Sequence, residues 1–107
     1  MQVNVDGGPT KAGVPPEQAA ELARQIASLP GLRLRGIMSL PESAPDFASA
    51  LAVHQRSLVV YEALQAEGFG LDTLSLGMSA DLEAAIQAES TMVRVGSAIF
   101  GARTPKA

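Results

Sequence analysis

The 107-residue chain contains no cysteine and no tryptophan. The missing thiols exclude a disulfide framework and a thiolate metal site, and they fit a reducing compartment. A single histidine, His54, excludes a zinc site built from several imidazoles. Aromatic residues make up only 4%, so the interior is expected to be built from Ala, Val, Leu, Ile and Met rather than from large rings. Basic residues are few, scattered and outnumbered, 8 against 11 acidic. That balance excludes the electrostatic footprint of a nucleic-acid binder. No apolar run approaches the roughly 20 residues of a membrane-spanning helix, and the first residues lack the regions of a signal peptide. The expectation is a soluble, cytoplasmic protein with neither nucleic acid nor membrane as partner.

What is present is an alternation of short apolar runs and helical periodicities. Residues 2–5 read as a strand closed by the turn residues Asp6-Gly7-Gly8-Pro9. Pro15-Pro16 opens a helix carrying Ala19, Leu22, Ala23, Ile26 and Leu29 at helical spacing, and Pro30-Gly31 stops it. A second strand is expected over 32–38, then a loop over 39–45. Asp46 is a natural N-cap for a long helix with Phe47, Leu51, His54, Leu58 and Tyr61 on its apolar stripe. Residues 73–76 read as the third strand, 81–88 as the third helix, 92–95 as the fourth strand and 97–100 as a closing helical turn. Alternation of this kind demands a parallel sheet covered by helices, so the fold class is α/β over a single region, 1–107. Four strands fit either half of a (β/α)8 barrel, which takes about 250 residues, or a doubly wound open sheet. Either way the outer strands leave open edges, which call for self-association or a preceding half of the barrel.

Two strand-to-helix turns carry the chemistry. Gly77-Met78-Ser79 follows the third strand, and Arg94-Val95-Gly96-Ser97 ends the fourth. Backbone N–H groups at a helix start are unpaired and sit at the positive end of the helix dipole, while glycine permits close approach. Together the turns make a phosphate cradle that needs no lysine. Each residue also has a plainer reading: Ser79 as an N-cap, Arg94 as half of a surface ion pair, Lys11 as a solvated side chain, Met78 and Met38 as packing. His54 reads as a histidine at the edge of the core. Asp81 and Glu83 would repel a phosphate, so both are expected to point away from the cradle.

The stretch LSLGMSADLEAAIQAESTMVRVGSAIFGAR, residues 74–103, closely resembles the end of the pyridoxal phosphate homeostasis proteins. Val3-Asn4-Val5, Thr10-Lys11-Ala12-Gly13 and Leu34-Arg35-Gly36-Ile37-Met38 with Pro41 resemble that family's preceding segments in the same order. The resemblance implies the C-terminal half of an alanine-racemase-like (β/α)8 TIM barrel that binds pyridoxal 5′-phosphate at its strand ends. It implies that Ser79, Gly96 and Ser97 contact the phosphate beside Gly77 and Met78. Arg94 would face the pyridine nitrogen, and Lys11 would approach the site. The Schiff-base lysine would belong to the N-terminal half, absent here. The function implied is cofactor storage or delivery without robust catalysis. An amino-acid racemase-like enzyme, and a fragment that binds no cofactor alone, stay open beside it. Glu89 stands where the family commonly has a small residue, and Asp6-Gly7-Gly8 replaces its more polar turn.

Overall fold

Gly36 sits where two backbones run together so closely that a Cβ there would lie 1.6 Å from the carbonyl oxygen of Thr73. Only glycine fits. In the computed structural model, which describes residues 1–7 and 12–101, this contact starts a parallel pair. Strand β1 (Gly36–Met38) runs beside β2 (Thr73–Ser75), with Ile37 opposite Leu74 and Met38 opposite Ser75. Gln2 bridges to Met38 on one flank and Met92 to Ser75 on the other, both parallel. The four segments therefore lie side by side in chain order, pointing the same way.

The expected strands are shorter than their sequence patterns. The second begins at Gly36 rather than 32, the third ends at Ser75 rather than 76, and the segments at 2–5 and 92–95 form single bridges instead of ladders. The physical reason is position. Among the described residues Met92 has a strand neighbour on one side only, and beyond Val3 stands just Val14, exchanging hydrogen bonds with Gln2 and Asn4.

Helix α1 (Ala19–Ala27) follows a 3-10 turn at Pro16–Gln18 and buries Ala19 and Ala23. Helix α2 (Phe47–Ala66) starts as expected, Asp46 accepting the Ser49 amide at 2.7 Å. Its buried face differs from the expected stripe. Ala50, His54, Ser57, Val60 and Leu64 are buried, while Phe47 is half exposed. Apolar residues occur all round this helix, so period alone cannot choose a face, and the small residues Ala50 and Ser57 admit close packing. Ser57 and Ser39, both fully buried, satisfy each other through a 2.9 Å hydrogen bond. Helix α2 packs chiefly on α3 (Leu82–Gln87), and also on β1 and α1. The core gathers Val3, Ile37, Leu64, Leu74, Leu76 and Ala85 where helices meet sheet. The closing turn is helix α4 (Ser97–Phe100). Among the described residues no helix is long and apolar enough to cross a membrane.

Helix α3 ends in a Schellman motif: the Ser90 amide reaches the Ala85 carbonyl and the Glu89 amide the Ile86 carbonyl, each at 3.0 Å. That geometry puts Glu89 at φ 68°, a left-handed conformation that costs an L-residue about 1 kcal/mol. Glu89→Gly is expected to raise stability by about 1 kcal/mol, read as a higher urea midpoint at unchanged slope. The bonds from Ser49 hold the Asp46 carboxyl below the usual carboxylate range. A lowered folded value means that the cap contributes fully above the unfolded value of about 3.9 and is lost as pH falls through the folded one. Asp46→Asn keeps a capping oxygen and removes this part of the acid sensitivity, measured as a smaller drop in urea midpoint between about pH 7 and about pH 3.

Candidate functional site

Beyond β2 the chain turns onto α3 at Gly77, where φ is 85° and a Cβ would lie 2.4 Å from that of Ala85. Glycine is required for helix and strand to meet this closely. Next comes a 3-10 turn at Ser79–Asp81. Asp81 Oδ1 accepts the Met78 amide at 2.7 Å while the Asp81 amide donates to the Met78 carbonyl at 3.2 Å, a reciprocal closure of the turn. The other oxygen, Oδ2, lies 2.7 Å from Nε2 of His54.

Ser79 does not cap its own helix. Its Oγ reaches across to the second turn and accepts the amides of Gly96 and Ala98, each at 3.2 Å. The two turns, 17 and more residues apart in sequence, thus share one point in space. The Arg94 amide also donates to the Gly77 carbonyl at 3.1 Å. At Gly96 the side toward which a Cβ would project is open, with no atom within 4 Å. This locus is part of a cavity of about 740 Å³ at the carboxyl ends of the strands.

Arg94 is held on backbone and hydroxyl oxygens rather than on a carboxylate. One terminal nitrogen donates to Ser75 Oγ at 2.6 Å and to the Ser75 carbonyl at 3.3 Å, and the other to the Ser39 carbonyl at 2.9 Å. Its Nε is buried without a partner. Burial draws the guanidinium below its ordinary range, an effect that the charge of Asp81 opposes. A guanidinium stays charged throughout, so the strand ends carry a fixed cation.

Gly77, Met78, Ser79, Arg94, Gly96 and Ser97 all line this cavity. Lys11 lies outside the described residues. Met78 is half exposed, contrary to the packing reading. Asp81 turns its carboxylate back onto Met78 and His54, yet both Asp81 and Glu83, expected to point away, line the same cavity. Sequence reading missed the Asp81–His54 contact and the serine partners of Arg94. Nothing local in the sequence could pair residues 54 and 81. The arrangement offers an anion the Ser79 hydroxyl hydrogen, whose oxygen already takes the Gly96 and Ala98 amides, together with a nearby cation. Since a lysine ammonium cannot span Ser39 and Ser75 at once, Arg94→Lys is expected to lower stability by about 1–2 kcal/mol in urea unfolding.

Comparison with known proteins places this geometry in context. Residues 1–104 match the family model described as alanine racemase, N-terminal domain. The chain is 47% identical over 103 residues to the pyridoxal phosphate homeostasis protein of Vibrio cholerae and 45% identical to that of Escherichia coli. In both cases 96% of this chain is covered, and the chain spans 44% of the relative's length. Among solved structures, a protein from Bifidobacterium adolescentis superposes with a TM-score of 0.85 at 33% identity, covering 94% of this chain and 41% of its own. PipY of Synechococcus elongatus, with pyridoxal phosphate bound, superposes with a TM-score of 0.78 at 28% identity, covering 92% of this chain and 47% of its own. The mixed α/β fold is accordingly that of a piece of an alanine-racemase-like barrel, and the chain belongs to the alanine racemase N-terminal domain family.

Proposed function

We propose that this chain forms the phosphate-binding part of a pyridoxal 5′-phosphate homeostasis protein, which stores or delivers the cofactor rather than turning over a substrate. The observation that carries the reading is the Ser79 hydroxyl, 3.2 Å from both the Gly96 and Ala98 amides. One point on the cavity wall therefore joins the hydroxyl of one turn to two amides of the other, and the open flank of Gly96 lets an anion come close. The names of the relatives and the ligand held by PipY support the choice of anion.

The chain's residues divide the work. Ser79, Gly96 and Ser97 hold the phosphate, and Gly77 and Met78 shape the turn from which Ser79 reaches. When bound, pyridoxal phosphate supplies an aldehyde and an electron-withdrawing ring. Arg94 presents donors only, so a ring nitrogen set against it stays an acceptor and the ring is a weaker electron sink. That disfavours amino-acid chemistry and favours holding. We read the chain as the C-terminal half of the barrel, with the Schiff-base lysine on an earlier strand of the full-length protein; that half, or a second copy, would cover the open sheet edge.

The test is equilibrium dialysis of full-length protein against pyridoxal phosphate and against pyridoxal, which lacks the phosphate. Retention of the first over the second by at least about tenfold is expected. Gly96→Ala, which meets no atom within 4 Å, is expected to leave the thermal midpoint in place and to weaken pyridoxal phosphate retention by about tenfold or more. Equal retention of both compounds would overturn the phosphate assignment. Sustained racemisation of an amino acid would overturn the non-catalytic part.

A further inference from the structure

His54 is a buried imidazole for which the cofactor site above has no task. It is 1% exposed on α2, and its Nδ1 is one of two buried polar side-chain atoms without a partner among the described residues. Its other nitrogen lies 2.7 Å from Asp81 Oδ2. A carboxylate only accepts, so Nε2 carries the proton in the neutral ring and Nδ1 is left as a bare lone pair. The second oxygen of the same carboxylate accepts the Met78 amide at 2.7 Å. One carboxylate therefore joins the buried ring to the turn that presents Ser79.

We infer that His54 is a positioning residue whose protonation tunes the affinity of the Ser79–Gly96 locus for a dianion, an inference that rests on the anion-binding reading above. Asp81 is the acidic group fixed closest in sequence to Ser79, and its field opposes a phosphate. While His54 is neutral, the full carboxylate charge stands beside the locus. Once His54 is protonated, the pair is neutral overall and that opposition falls away. The same hydrogen bond keeps Asp81 turned onto Met78 in both states. Other charged groups face this pair: Arg94 from the last segment feels the charge of Asp81, and Glu42, Asp46 and Glu83 line the shared cavity. Carboxylates as a class titrate below the range where imidazoles do, and guanidinium above it. Imidazole is the class of side chain gathered there whose charge changes nearest neutral pH.

Linkage makes the idea measurable without a mutation, because an anion that prefers the protonated ring must raise the ring's proton affinity by the same factor. The chain's one histidine gives one imidazole C2 proton signal to follow by NMR. It is titrated from about pH 5 to about pH 8 with and without sulfate, a dianion throughout, whereas a phosphate ester ionises near about 6. Sodium chloride at equal ionic strength is the control. Sulfate is expected to move the midpoint upward by about half to one pH unit, matching binding about three- to tenfold tighter at the acid end. In His54→Gln, whose amide can still donate to Asp81, sulfate should perturb the Gly96 and Ala98 amides with one affinity across that range. In Asp81→Asn the sulfate-induced shift of the His54 signal should vanish. Sulfate that perturbs those amides without moving the midpoint overturns the inference and leaves the anion site standing. Amides untouched by sulfate at every pH overturn both.

Discussion

A single side chain ties the ends of the parallel segments together. Arg94 leaves the last segment and donates to Ser75 at the end of β2 and to Ser39 just past β1, so three neighbouring strand ends are tied through one planar group. Ser39 is itself held from behind by Ser57 of α2, which connects the tie to the helical layer. A salt bridge in this place would carry a large desolvation cost. Neutral oxygens take both terminal nitrogens of the guanidinium, which lines the cavity with no carboxylate bonded to it. The same contacts serve folding and site: they fix the strand ends and supply a cation at the mouth.

Glycine defines the two places where chain must touch chain. Gly36 lets β1 lie against Thr73, and Gly77 lets the following turn fold down on Ala85. Gly96 differs from both, since space is open on its side-chain flank. The first two are demanded by the fold in its own right. The third has no packing partner to explain it.

Much of this was legible beforehand, and the failures have physical causes. Element order, the parallel arrangement, the Asp46 cap and the meeting of the two turns follow from turn chemistry and alternation, which are local signals. Strand length was overread because an apolar alternation reports what could pair, and pairing also needs a neighbour on each side. The buried face of α2 was misjudged because Phe47 and Leu51 look more apolar than Ala50 and Ser57. Close packing against α3 and β1 selected the smaller residues. Glu89 was recognised as unusual without a reason; its left-handed backbone gives one. The His54–Asp81 contact was beyond reach, since it joins a long helix to a turn through tertiary packing alone.

Val14 occupies the outer edge of the first segment, taking the Asn4 amide at 2.8 Å and giving its own to the Gln2 carbonyl at 3.1 Å. Any further strand that joined there would have to evict it. Such an addition is a swap of like bonds for like, nearly neutral in hydrogen bonding. Its direction is then set by what the newcomer's side chains bury, and its speed by how readily the incumbent peels off. A seemingly minor loop residue thereby acts as a gatekeeper against indiscriminate zippering of stray backbone onto this sheet.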